Sequence, residues 1–188
     1  MYLNCHSYHS LRYGTISVED LVRDSARLGI SALAPTDINT ITGIYEFYKL
    51  CKEFGIKPIV GVDVRLDNQQ YFIALAKNNQ GITEICRMLT AHNCDGEILP
   101  RQNPDLPNCF IIYPLKNIPE VLEDNEFIGI RAEELHVLIQ KKWQQFSDKI
   151  VVLQPVTFRT KREYNLHRIL RAVDRNTLLS KLNEDDVC

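Results

Sequence analysis

Four side chains near the front of the chain are of the kinds that hold cations or move protons: Asn4, His6, Asp37 and Asp63. Asn4 and His6 are two apart, so on a strand they point to one face while Cys5 turns to the other. Asp37 and Asp63 each follow a short apolar run and therefore stand at strand ends. An imidazole and two carboxylates at neighbouring strand ends, His6, Asp37 and Asp63, are a donor set for one divalent metal such as zinc, manganese or magnesium. After a strand, however, such residues are more often turn formers or helix caps than ligands. His6 reads either as a ligand or as a histidine hydrogen-bonded to Asp37 or Asp63. Cys5 faces away from His6, which argues against a Cys–His nucleophile pair. His9, in a loop, reads as solvated, and His92 and His136 lie on predicted helix faces.

The elements that must position these residues alternate between strand and helix. Residues 2–5 form a strand, and Ser17 caps a helix that Gly29 ends. Residues 30–34 form a buried strand closing on Pro35, Thr36 and Asp37. The spacing predicts a helix over 43–54 with Ile44, Phe47, Tyr48 and Cys51 on one face, closed by Gly55. Residues 57–64 read as one strand, Asp67 and Asn68 as a turn, 71–76 as a strand and 81–91 as a helix. A loop over 94–108 follows, then strands over 109–113, 127–130 and 150–153. Helices are expected at 118–123, at 132–146 with Leu135, Leu138, Ile139 and Trp143 as the apolar stripe, and at 161–173 with Tyr164, Ile169, Leu170 and Val173 inward. Such alternation predicts an α/β fold with a parallel sheet and right-handed crossovers. Six or seven βα units suit a distorted, TIM-like (βα) barrel, with sites at the carboxyl ends of its strands. A doubly wound sheet is the competitor, but no Gly-x-Gly-x-x-Gly follows the first strand.

The chain has 188 residues, of which 45% are hydrophobic and 24% charged, with a formal net charge of −2. One sizeable core and one domain are expected at that length. The charge excludes a uniformly basic nucleic-acid sleeve, so any DNA contact needs a local patch. Lys141, Lys142, Arg159, Lys161, Arg162, Arg168, Arg171 and Arg175 supply such a concentration. They read as a solvated face or as a contact for nucleic acid or a larger protein body. Six cysteines without a Cys-x-x-Cys pair suit a reducing compartment. No apolar run reaches the roughly 20 residues of a membrane span. The polar run after Met1 does not read as a secretory signal, so a cytoplasmic protein is expected.

Leu3-Asn4-Cys5-His6-Ser7, followed by Ser10-Leu11 and Gly14, resembles the opening motif of PHP domains, the polymerase and histidinol phosphatase type. The family form there is Leu-His-x-His-Ser, then Ser and Asp-Gly. Ala32 to Asp37 resembles the second motif. Gly43, Phe47 and Tyr48, then Gly55 through Asp63, resemble the third. The segment Ile73 to Gly81 narrows the likeness to PHP domains at the front of bacterial DNA polymerase III alpha subunits. The resemblance covers about residues 1–90 and returns around 150–173, where His167 falls in the last βα unit.

That resemblance implies two or three metal ions held by histidines and carboxylates. The chain keeps His6 and Asp37. It carries Asn4 where the first histidine belongs, Tyr13 for the carboxylate before Gly14, and Ile38 for the histidine after Asp37. Asp63 stands for a longer Glu, and Pro155 and Thr157 for an Asp-x-His pair. The expectation is a single PHP domain over 1–188, part of a longer polymerase chain, with a vestigial site at Asn4, His6, Asp37 and Asp63. Such a module is non-catalytic and serves as a scaffold, packing on the remainder of the polymerase chain or on a proofreading exonuclease, with DNA reached through the full-length polymerase and no membrane contact. The rival expectation is a metal-dependent phosphoesterase or 3′–5′ exonuclease with a reduced metal site.

Overall fold

Short apolar runs become the strands of two hydrogen-bonded sheets in the computed structural model, which describes residues 1–66, 69–102, 104–140, 143 and 146–183. The first elements are β1 (Tyr2–Cys5), α1 (Val18–Arg27), β2 (Ala32–Pro35), α2 (Ile44–Phe54) and β3 (Lys57–Pro58). Next come β4 (Gly61–Leu66), β5 (Gln69–Ala76), α3 (Asn79–Asp95), β6 (Cys109–Pro114), β7 (Glu126–Ile130) and β8 (Ile150–Val152). The last helix is α4 (Lys161–Asp174). The chain divides into two compact units, Met1–Ile59 with Pro155–Cys188, and Val60–Gln154.

In the first unit β1, β2 and β3 form a parallel sheet in that order. Helix α1 starts where expected, because the Ser17 hydroxyl accepts from the Asp20 amide at 3.0 Å. Gly55 ends α2 in the left-handed conformation, φ 69°, which glycine adopts without a Cβ penalty. The core gathers Cys5, Ile16, Val18, Leu33, Phe47 and Cys51. Burial pushes the Cys5 thiol up to about 12, with Asp37 adding to the effect, so this cysteine is an inert core residue.

The second unit holds the order β4-β5-β6-β7-β8. Pairs β4–β5 and β5–β6 are antiparallel, whereas β6–β7 and β7–β8 are parallel. The expected all-parallel sheet is thus corrected to one parallel and one mixed sheet. No closed barrel forms among the described residues. The α/β class holds. Residues 57–64 do not form one strand: β3 pairs with β2, and β4 pairs with β5. The turn expected at Asp67 and Asn68 lies outside the described residues.

Other corrections concern faces. On α2, Phe47 and Cys51 are buried but Tyr48 is 60% exposed. Of the helix expected at 132–146, Ala132–Ile139 is a 3-10 segment with Ile139 82% exposed, Trp143 is helical, and residues 144 and 145 lie outside the described residues. An amphipathic stripe without a surface to bury it does not hold an α-helix. Lys141 and Lys142 lie outside the described residues. The short helix expected at 118–123 does not form; a 3-10 turn at Leu115–Asn117 precedes that stretch. No helix of the described residues is long and apolar enough to cross a membrane.

Arg159, just before α4, ties the first unit's helices together. Its guanidinium reaches Asp20 at 3.0 Å, Asp24 at 3.3 Å and Glu163 at 2.6 Å. The Ser17 hydroxyl and then Arg159 hold the Asp20 carboxyl below its ordinary value. Burial pushes Glu163 up, but its bonds to Arg159 outweigh this and lower it. A carboxylate with a depressed folded pKa adds stability above its unfolded value, about 4, and loses it as pH falls through the folded value. We therefore expect Arg159→Gln to flatten the acid limb of thermal stability below about pH 5, measured by circular dichroism melts against pH. These groups are partly exposed, so the effect is modest. Phe47→Ala should cost about 3–5 kcal/mol in urea unfolding, while Tyr48→Ala should cost under about 0.5 kcal/mol.

Candidate functional site

The carboxyl end of β1 is stitched on both flanks. The Thr36 amide donates to the Cys5 carbonyl at 2.8 Å, and the His6 amide donates to the Val156 carbonyl at 2.9 Å. The Val156 amide donates in turn to the Asn4 carbonyl at 2.8 Å. Asn4, His6 and Asp37 are all buried around this strand end.

Asp37 is the hub. Its Oδ1 accepts from the Ser7 amide and the Ser10 hydroxyl, each at 2.6 Å, and its Oδ2 accepts from the Ser7 hydroxyl at 2.7 Å. The Ser10 hydroxyl also accepts from the Ile38 amide at 3.1 Å. Charge-assisted bonds of this length are the strong kind. The loop returning from Ser10 needs Gly14, because a Cβ there would stand 1.7 Å from the Ser7 carbonyl oxygen. The small-residue signature Ser7, Ser10, Gly14 is therefore the frame that holds one carboxylate.

His6 meets the Thr157 hydroxyl through Nδ1 at 3.1 Å. Thr157, expected from the resemblance to stand where a histidine belongs, is thus a hydrogen-bond partner of His6. The Tyr13 ring lies edge-on to His6 at 5.0 Å and to His167 at 4.8 Å. His167 Nδ1 donates to the Tyr13 carbonyl at 2.6 Å, which fixes its proton on that nitrogen. The Arg171 guanidinium sits 5.2 Å from the Tyr13 ring centre and donates to Asp174 at 2.8 Å. Tyr13, His167 and Arg171 are buried. Asn4 Oδ1 receives only a long bond from Thr36, 3.5 Å, and its buried Nδ2 has no partner among the described residues.

Asp63 belongs to the second unit. It is buried on β4, and its Oδ2 accepts from Arg65 at 2.7 and 2.9 Å and from Gln70 at 3.0 Å. Arg65, two residues on, shares the strand face, so an internal guanidinium answers the carboxylate. Sequence reading named Asp63 but missed Arg65, although the Asp-x-Arg spacing carried the signal. It also missed Ser7 and Ser10 as the partners of Asp37, and the inward His167 and Arg171.

These donors do not fit a multi-metal centre. Catalytic metal sites of this kind take three protein ligands per ion; of the ligands expected from sequence the first unit holds His6 and Asp37, and Asp37 accepts hydrogen bonds at both oxygens. Among the described residues, no group of three or more His, Cys, Asp or Glu side chains is arranged to hold a metal ion.

An α/β chain with buried polar residues at its first strand ends, framed by serines and a close-packed glycine, defines the class. The chain belongs to the PHP domain family, whose family model matches residues 3–151. DNA polymerase III subunit alpha of Staphylococcus aureus strain Mu50 is 27% identical to it over 98% of this chain. The same-named protein of Buchnera aphidicola from Schizaphis graminum is 38% identical over 51% of this chain. The chain spans 18% of the length of the first relative and 8% of the second. A solved structure from Bifidobacterium adolescentis, described as a metal-dependent phosphoesterase, is 22% identical with a TM-score of 0.37, over 46% of this chain and 30% of that one.

The Asp63–Arg65 pair yields a test. Arg65→Met leaves a buried carboxylate with less compensation and should cost about 3–5 kcal/mol. Asp63→Asn combined with Arg65→Met should cost less than Arg65→Met alone. Chemical denaturation of the three proteins checks the order.

Proposed function

We propose that this chain is a PHP module that has lost multi-metal phosphoester chemistry and works as a structural, partner-binding part of a DNA polymerase III alpha-type polypeptide. The observation that carries this reading is the state of Asp37. The one carboxylate retained at the strand ends of the first unit spends both oxygens on Ser7 and Ser10. Around it Tyr13, Ile38, Pro155 and Thr157 occupy positions at which the family pattern has ligands. A hydrolytic centre needs one ion to activate water and others to hold the phosphoryl group. A zinc, manganese or magnesium ion at Asp37 would compete with the serine bonds that already occupy Oδ1 twice and Oδ2 once, and one at Asp63 would face the Arg65 guanidinium.

In this reading residues 1–188 are a single PHP domain, supported by a family match that runs through both compact units. The family's distorted (βα) barrel belongs to the same reading, supported by that match and by the parallel order of β1, β2 and β3. The polymerase reaction, joining deoxynucleotides to a primer 3′ end, belongs to segments outside this domain, in the cytoplasm. The partners are the remainder of such a polymerase, through it DNA, and a proofreading exonuclease.

Elemental analysis and a nuclease assay test the reading. The purified chain should carry zinc, manganese and magnesium well below one ion per chain. It should show no metal-dependent hydrolysis of p-nitrophenyl phosphate or single-stranded DNA. Asp37→Ala should lower the thermal midpoint without changing that null activity. One ion per chain together with hydrolysis abolished by His6→Ala would overturn the proposal in favour of the phosphoesterase.

A further inference from the structure

Helix α4 has its polarity reversed. Its buried residues are His167, Arg171 and Ala172, while Leu166, Ile169 and Val173 are 47%, 50% and 61% exposed. Leu178 and Leu179 follow, also exposed. At about 100° per residue, Leu166, Ile169 and Val173 share one face, opposite His167 and Arg171. A concavity of about 340 Å³ opens among Ile169, Ala172, Val173, Asn176, Thr177 and Leu179. A contiguous apolar surface of this sort marks an interaction site far more often than scattered single residues do.

The charges around it have one sign. Glu163 is committed to Arg159, and Asp174 to Arg171 and Arg12. Among the described residues, no ion pair forms at Lys161, Arg162 or Arg168. By helical angle Arg162 lies on the apolar stripe, while Lys161 and Arg168 stand on one flank, about 80° and 100° from Ile169, its nearest member. The complement of such a face is an amphipathic helix with an apolar ridge and acidic flanks. DNA suits it less well, because the stripe offers aliphatic side chains and no exposed aromatic ring on which bases stack.

We infer that the outer face of α4, with the concavity behind Leu179, is the docking surface for an acidic amphipathic helix of a protein partner. This extends the partner-binding half of the proposed function and rests on it. The stripe from Arg162 to Val173 covers about three turns, roughly 17 Å, which matches a short helical segment.

Binding of labelled peptides to the 188-residue chain tests this. One peptide of ~18 residues carries leucines at helical spacing with glutamates elsewhere, and its counterpart replaces every glutamate by lysine. The acidic peptide should bind at least ~10-fold tighter, and Val173→Asp and Arg162→Glu should each weaken it by ~10-fold. Both substitutions sit on exposed positions, and amide shifts of the unsubstituted chain should localise to residues 162–179, which requires no variant. Equal affinity for the two peptides, or shifts elsewhere, sinks the inference. So does an oligonucleotide that binds more tightly than the acidic peptide and loses affinity in Arg162→Glu, or self-association of the chain lost in Val173→Asp without any peptide preference. Metal-dependent hydrolysis would bear on the scaffold reading alone, whereas loss of the charge preference would bear on this surface alone.

Discussion

A buried carboxylate must be answered by a cation or by hydrogen-bond donors, and Asp37 is answered by donors. Three bonds of 2.6–2.7 Å from Ser7 and Ser10 satisfy it. Much of the first unit's local geometry follows from that requirement. Ser7 directly follows His6, so the bond to Asp37 fixes how the chain leaves β1. Ser10 joins the same carboxylate to the Ile38 amide and anchors the turn that brings Tyr13 inward. Gly14 then passes so close to the Ser7 carbonyl that no side chain fits. In water each such bond is worth little, but in the interior leaving the charge unanswered is expensive.

The same rule operates independently in the second unit. Asp63, buried on β4, takes Arg65 and Gln70 as partners. In a metal centre these charges would be balanced by ions. Here they are balanced by the chain itself, with neutral donors in one unit and a guanidinium in the other. Around the first strand end the polar packing continues with Thr157 at His6 Nδ1 and the Tyr13 ring between His6 and His167. Asn4 is less well answered, since its buried Nδ2 has no partner among the described residues.

What could be read from sequence follows from how local each signal is. Ser17 and Gly55 mark helix ends through backbone chemistry within a few residues, and both were legible. Asn4, His6 and Asp37 were legible as strand-end residues because strand alternation and the short apolar runs are local. The division of residues 57–64 between two sheets was not legible, since β3 pairs with the distant β2 while β4, only a few residues on, pairs with the next strand β5. Tyr48 and Ile139 fit an apolar stripe by spacing yet are exposed, because periodicity identifies a face without specifying what covers it. The partners of Asp37 lie 27 to 30 residues away in sequence, beyond any local pattern.

Helix α4 carries this reasoning furthest. Its apolar periodicity suggested that Ile169 and Val173 point inward, and the opposite is found. The cause lies in the site. Filling the space beside Tyr13 takes His167, which bonds the Tyr13 carbonyl, and Arg171, which lies over the Tyr13 ring. These two residues are four apart, so turning one inward turns the other inward as well. Rotation about a helix axis is a single degree of freedom, and Leu166, Ile169 and Val173 are then carried to the opposite side. The aliphatic face is exposed as a geometric consequence of satisfying a buried polar cluster. An exposed aliphatic face of that kind, headed by Arg162, is costly to leave in water, which places the proposed docking surface on the outer side of α4 while its inner side packs beside Tyr13.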